Sequence, residues 1–495
     1  MSATNTSKAV LILGAGLVSG PLVEYLANTC GYKVTVGSRT LARAEALAKP
    51  CENANALEID VEKDEGVALL NKIVGDYDCV ISMLPYLLHA VAAKAAVDAG
   101  KHFLTTSYVQ PGVRALEEES KKKGVVMINE CGVDPGTDHM SAMVYIDKVS
   151  GNKGKIVGFT SFCGGLPAPD SNTNPFGYKF SWAPRGVLLA SANPARFLKD
   201  GKPVDIVKGT LFLPENYEKL SVDAPGMEGI EFEAYPNRDS TPYQNILKLP
   251  DAQLVLRGTY RYAGWCDTVQ KFSELGFLST EKQDFTKLLP GNASPTYAQL
   301  IAHLAKIQEP STIENPIKLK DAVGNVLKLD AAHTFVLDRF EWLGLFDNTK
   351  HIVEFSKNLQ NTSPLDVLCD LMQDKMQYAP GERDMILMQH VFDVEYEDNR
   401  KERVSSTMVS YGVPNGHSAM SRTVSYPVGI ATKLVLEGKY TTPGLAIPTI
   451  PELYQPILDE LDASFNIKWV HKVVSTKRKQ QSSTDGDSKK QKTSN

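Results

Sequence analysis

The chain has 495 residues, 42% of them hydrophobic and 22% charged, with a formal net charge of −5; at roughly 100–200 residues per domain this predicts two to four folded units, not one globule. That balance excludes a disordered chain, a collagen and a coiled coil. No apolar run reaches the roughly 18 residues of a membrane span, and the first, AVLILGAGLV, is broken by glycines.

The opening residues, MSATNTSK, have neither the apolar centre of a signal peptide nor the arginines of a transit peptide, so a cytoplasmic location is expected. The seven cysteines (Cys30, Cys51, Cys79, Cys131, Cys163, Cys266, Cys369) never form a C-x-x-C pair. Reduced thiols and no metal site are expected.

From Lys8 to Glu130 short apolar runs alternate with helical stretches. The predicted strands are Ala9–Leu13, Lys33–Val36, Ala56–Ile59, Cys79–Met83, His102–Thr105 and Val125–Asn129. Helices are predicted over Pro21–Asn28, Leu41–Ala48, His89–Ala99 and Val113–Lys123. Strands without alternation, separated by crossover helices, predict an α/β fold with a doubly wound, Rossmann-type parallel sheet.

After about residue 138 the rhythm gives way to Gly/Pro/Asn-rich stretches and isolated strands at Lys155–Phe162 and Gln253–Tyr262. Residues 267–379 carry apolar positions at helical spacing, as in FVLDRFEWLGLF and PLDVLCDLMQDKM. Strands return at Met385–Tyr396 and Arg403–Tyr411, followed by a helix over Val428–Leu436. The expected organisation is a dinucleotide-binding domain (1–138, completed by about 425–474), an α+β substrate and dimerisation domain (139–266 and about 380–424), an all-helical insertion (267–379) and a tail (475–495). The tail is net +4 against −9 for the rest and holds no apolar residue, so it is expected to be disordered. Its basic clusters read as a solvated end more readily than as a nucleic-acid contact.

The first strand runs into Gly14-Ala15-Gly16-Leu17-Val18-Ser19-Gly20 and then a helix. In that setting Gly14 permits a tight turn, Gly16 lets a pyrophosphate approach the backbone, and the helix start supplies amide donors; a plain strand–helix turn is the competing reading. An NAD site would carry an acid at the end of the second strand. Here the strand ends in Ser38-Arg39-Thr40, and a guanidinium suits a 2′-phosphate, so NADP is expected over NAD.

Thr105–Tyr108 and Cys131–Gly136 follow the fifth and sixth strands, the edge where doubly wound sheets hold ligands. Asp134, fixed between Gly132 and Pro135-Gly136, either meets a substrate ammonium or closes an Asx-turn. Arg238, Arg257 and Arg261 stand beside aromatics and suit a substrate with several carboxylates, although each alone also reads as a surface ion pair. Cys163, ahead of Gly164-Gly165, is either a site thiol or a buried structural cysteine.

The blocks GAGLVSG, SRT, MLPY, TTSYVQPG, ECGVDPGTDH, SFCGGLPAP, YPNRDSTPY, RGTYRY and GERDMILMQH resemble the saccharopine dehydrogenases of the NADP-dependent, glutamate-forming type, also called saccharopine reductases, from about Lys8 to Val474. The resemblance implies interconversion of L-saccharopine with L-glutamate and L-2-aminoadipate 6-semialdehyde in lysine biosynthesis, by a homodimer acting on small molecules, with no membrane or nucleic-acid partner. Carried over from the family, cofactor contacts fall on Ala15, Gly16, Leu17, Val18, Ser38, Arg39, Thr40, Asp60, Val61, Leu84, Thr106, Ser107, Val133, Asp134, Pro135, Gly136 and Trp182, to which the turn motif adds Gly14. Saccharopine contacts fall on Ser107, Tyr108, Asp134, Arg238, Gly258, Thr259 and Tyr260, and Tyr108, Asp134 and Cys163 are the expected catalytic groups. Ser38 replaces a usual cysteine, Cys131-Gly132-Val133 an Ile-Gly-Leu, and Tyr260 a leucine that leaves more room. Two alternatives remain at this point: a carboxynorspermidine-type synthase, against which the arginines speak, and a non-catalytic NADP-binding scaffold or sensor.

Overall fold

The computed structural model describes residues 7–288, 294–352 and 359–478. The N-terminal sheet is built from β1 (Ala9–Leu13), β2 (Lys33–Ser38), β3 (Ala54–Glu58), β4 (Cys79–Ser82), β5 (His102–Thr105) and β6 (Val126–Ile128). Its order is β3-β2-β1-β4-β5-β6 with every pair parallel. The reversal between β1 and β4 opens the crevice where such sheets receive ligands. β1 is buried almost throughout, as a strand covered on both faces must be, which is why its sequence is an unbroken apolar run.

The second sheet comprises β7 (Gly154–Pro167), β8 (Ala195–Lys199), β9 (Lys202–Ile206), β10 (Glu218–Leu220), β11 (Phe232–Pro236), β12 (Leu254–Tyr262), β13 (Asp384–Tyr396) and β14 (Arg400–Tyr411). β7 lies at its centre, parallel to β12 and antiparallel to β13. The chain then returns to the first sheet, where β15 (Gly444–Ala446) pairs beside β6, and ends the described part with β16 (Val470–Arg478) on β14. β13 alternates between two cores: Ile386 and Met388 face the one shared with the N-terminal sheet, Met385 and Leu387 the one under the helices.

Several elements differ from the sequence expectation. Pro21–Asn28 is an α-helix over Gly20–Glu24 that widens into a π-turn over Tyr25–Thr29, and Val113–Lys123 is two short helices, Pro111–Arg114 and Glu117–Lys122. The expected Val428–Leu436 helix starts at Ala419, capped by Ser418, and absorbs Pro427, which reads as a boundary in sequence. The helix expected after the Asp134 turn runs over Thr137–Gly151; it is buried on most sides, so it has no amphipathic period from which its extent could be read. β16 extends through Arg478 and orders the first residues of the expected tail by pairing with β14, since ladder hydrogen bonds need no apolar side chain. Residues 479–495 of that tail and Met1–Thr6 lie outside the described residues. No helix among the described residues is long and apolar enough to cross a membrane.

Candidate active site

The glycine turn sits where β1, β2 and β4 end. Gly14 has φ +116°, donates its N–H to Gly37 O at 2.8 Å, and would place a Cβ 2.6 Å from Met83 O, so the position needs a residue without one. A Cβ on Gly16 would meet nothing within 4 Å: the turn is an open cradle, as a bound pyrophosphate requires. Ser19, in place of a third glycine, is buried and donates to Gly14 O at 2.9 Å. Val18 O accepts from Ser425 of the returning chain, which anchors the turn from the far end of the sequence.

At the end of β2 the Thr40 N–H donates to Ser38 Oγ at 3.1 Å and leaves Arg39 projecting, its side chain 68% exposed and 3.5 Å from Glu62. An arginine so placed can exchange a weak surface partner for a phosphate. Asp60 and Val61 follow β3, Leu84 follows β4, and Thr106 and Ser107 follow β5, so these predicted contacts share one edge. Sequence reasoning missed His89 there. Its Nδ1 lies 2.8 Å from Ser82 Oγ and its Nε2 2.8 Å from Ser107 Oγ, and burial lowers its pKa to about 4. A neutral imidazole thus fixes the Ser107 hydroxyl.

The substrate side is an ionic chain. The Tyr108 hydroxyl donates to Asp134 Oδ1 at 3.2 Å. Arg257 Nη2 bonds Asp134 Oδ1, donates to Asp138 Oδ2 at 2.6 Å, and its guanidinium stacks 4.1 Å from the Tyr243 ring. His139 continues the chain, 3.2 Å from Asp138 and 2.8 Å from Glu130. Gly136 N–H donates to Asp138 Oδ1 at 2.6 Å, and a Cβ on Gly136 would fall 2.0 Å from Gly132 O, which explains the D-P-G turn. Asp134–Pro135 is a cis peptide. Glu130 (φ +61°) and Arg238 (φ +57°) both adopt the left-handed conformation beside this cluster, a strain that such sites commonly hold. Arg238 is exposed, with its guanidinium 5.4 Å from the Tyr108 ring.

The environment separates the two carboxylates that share Arg257. Burial opposes the charge on both, but His139 and Arg257 together hold Asp138 well below the usual carboxylate range, while Asp134 is left raised. Asp134 is therefore the member that can take a proton. Burial likewise raises Tyr108 and Cys163 well above their ordinary values, so both stay protonated. Burial works against a charged His139, yet Asp138 and Glu130 outweigh it and bring its pKa to about 9.

Of the remaining predicted residues, Cys163 on β7 is in register with Thr259 on β12 and Met388 on β13. Gly258 is buried against Tyr235 O, and Trp182 packs over Gly186. Tyr260 is 1% exposed, with its ring 5.2 Å from Phe162, and turns to the side of β12 opposite Arg257. Its bulk fills the aromatic core. Asp138, His139, Glu130 and Tyr243 were not singled out from sequence; the run ECGVDPGTDH, with its acids and histidine around one helix start, was the available signal.

A doubly wound sheet with an open glycine turn at its switch point, facing a buried acid–base cluster at the same edge, defines a dinucleotide-dependent oxidoreductase. Two family models match: the saccharopine dehydrogenase NADP binding domain over residues 10–128 and the saccharopine dehydrogenase C-terminal domain over 132–467. The chain belongs to the saccharopine dehydrogenase family. It is 39% identical over 471 residues to the NADP+, L-glutamate-forming saccharopine dehydrogenase of Saccharomyces cerevisiae, covering 94% of this chain and 99% of that one. Its counterpart from Schizosaccharomyces pombe is 37% identical, covering 92% and 96%. The mitochondrial alpha-aminoadipic semialdehyde synthase of Bos taurus is 38% identical over 92% of this chain, which spans 47% of that protein. The solved apo structure of the histidine-tagged Saccharomyces cerevisiae enzyme superposes with a TM-score of 0.82 at 37% identity, covering 95% of this chain and all of that one.

Proposed function

We propose that the chain is an NADP-dependent oxidoreductase that interconverts L-saccharopine and water with L-glutamate and L-2-aminoadipate 6-semialdehyde. The observation that carries this reading is the meeting of Tyr108 and Asp134, from the edge of the cofactor sheet, with Arg257 of the second sheet. That cluster offers a proton acceptor and a hydroxyl donor to one secondary amine, while exposed Arg238 offers a guanidinium to a carboxylate.

The turn Gly14–Val18, the segment Ser38–Thr40, Asp60, Val61, Leu84, Thr106, Ser107, Val133–Gly136 and Trp182 would hold NADP, which supplies hydride transfer at the carbon beside the amine. Asp134 accepts the ammonium proton of saccharopine, so that the lone pair can drive formation of the imine. Tyr108, held against Asp134, orients it, and Asp134 hands its proton back to the departing glutamate amine as water splits the imine. The Cys163 thiol, protonated and in register with Thr259, borders the same pocket. Residues 1–138, 139–266 with 380–424, and 267–379 act as cofactor, substrate and helical units, the first completed by 425–474, in a cytoplasmic homodimer.

The test follows the nicotinamide absorbance with glutamate plus the semialdehyde, and in reverse with saccharopine. Consumption of NADPH with both substrates present is expected. A protein that binds NADPH yet consumes none would be a scaffold, and turnover with a diamine in place of glutamate would point to the synthase.

A further inference from the structure

Arg261 differs from its neighbour Arg257 in having no counter-ion among the described residues. It is 7% exposed, its Nη1 donates to Tyr260 O at 2.8 Å, its Nε has no acceptor, and among the described residues no carboxylate lies within ion-pair distance. Its guanidinium lies 5.0 Å from the Tyr178 ring and 5.5 Å from the Trp265 ring. Among the described residues the Trp265 indole N–H is buried without an acceptor, and the Tyr178 hydroxyl, whose oxygen meets the Trp182 side chain, has no acceptor for its own proton. Buried cations are ordinarily paired and buried donors ordinarily bonded, so two neutral donors beside one guanidinium offer an anion charge and hydrogen bonds together.

The location ties the receptor to the active site. Alternation along β12 puts Arg257, Thr259 and Arg261 on one side, and Cys163, in register with Thr259, is close enough to Asp134, Asp138, Arg257 and Arg261 for the charge of each to act on its thiol. Arg257 is neutralised by Asp134 and Asp138 and is not available to an incoming carboxylate. We propose that Arg261, with the Tyr178 hydroxyl and the Trp265 N–H, binds one carboxylate of the amino-acid substrate, a second anchor beside Arg238. The proposal rests on the saccharopine reading above. A planar guanidinium suits a carboxylate bidentately, and two further neutral donors complete its lone pairs.

Steady-state kinetics of wild type, Arg261→Gln, Arg261→Lys and Tyr178→Phe, with NADPH affinity measured by fluorescence, test it. Arg261→Gln is expected to raise the KM of glutamate or of the semialdehyde on the order of 10- to 100-fold, with NADPH affinity unchanged and Arg261→Lys recovering part of the loss. The substrate whose KM rises identifies the carboxylate. Unchanged KM for both, or a parallel loss of NADPH affinity, overturns the proposal. Should Arg261→Gln not fold, Tyr178→Phe, which removes only a hydroxyl, is expected to raise one KM about 5-fold, and no rise overturns it. If the wild type turns over neither substrate pair, the saccharopine reading fails separately. Arg261 is then judged by calorimetric titration of glutarate, which wild type is expected to bind at least about tenfold more tightly than Arg261→Gln; equal affinities would refute it.

Discussion

The cofactor turn and the substrate cluster occupy one edge of the same sheet and work by opposite physics. At the turn the functional groups are exposed backbone and one arginine whose side chain is 68% exposed, so charge there is inexpensive and replaceable. In the cluster Glu130, His139, Asp138, Arg257 and Asp134 alternate in sign through the interior, and each is tolerable only because its neighbours are present. Geometry made by glycine therefore tolerates a missing side chain nearby, whereas geometry made by compensating charges does not.

The sharpest way to break that contrast is Arg257→Met, which strands two buried carboxylates. Urea unfolding should show a loss of about 3–5 kcal/mol, and near-wild-type stability would mean that the chain of charges is not what holds the site. The histidine gives a pH signature. His139 is raised to about 9 from an ordinary 6.5, so its stabilisation is complete below about pH 6.5 and disappears as pH rises through about 9. Urea midpoints measured from pH 6 to 10 should fall by on the order of 3 kcal/mol in stability, and His139→Gln should flatten the slope. Asp134→Ala and Tyr108→Phe act on chemistry: kcat should drop on the order of 100-fold for Asp134→Ala and less for Tyr108→Phe, and normal turnover in both would remove their catalytic assignment. Arg39→Ala, on the exposed side of the comparison, should change stability little and weaken NADPH about tenfold with NADH unaffected; equal loss of both would remove its 2′-phosphate role.

The same contrast explains what the sequence made legible. The glycine turn is local: Gly14, Gly16 and Arg39 are read from one strand–turn–helix–strand segment whose apolar runs announce themselves. The short β15 carries too few residues for any period and is defined only by pairing with β6. Helix Thr137–Gly151 hides because buried residues ring it. The cluster joins Tyr108, residues 130–139, Tyr243 and Arg257, and nothing in a one-dimensional pattern says that Asp138 and Asp134 share one guanidinium. Family resemblance pointed to Asp134 and Tyr108, but not to the groups that set their protonation. Tyr260 was expected to narrow the pocket, whereas strand alternation sends its ring into the aromatic core.

The nicotinamide of a 2′-phosphorylated dinucleotide and the substrate amine are expected to meet at the carboxyl edge of the first sheet, over the glycine turn and beside Asp134. Diffraction from crystals grown with NADP+ and saccharopine tests it most directly. Pyrophosphate density is expected over Gly16, the 2′-phosphate at Ser38–Thr40 and the secondary amine within hydrogen-bond reach of Asp134 or Tyr108. A cofactor that leaves the turn empty, or an amine remote from both residues, would contradict it.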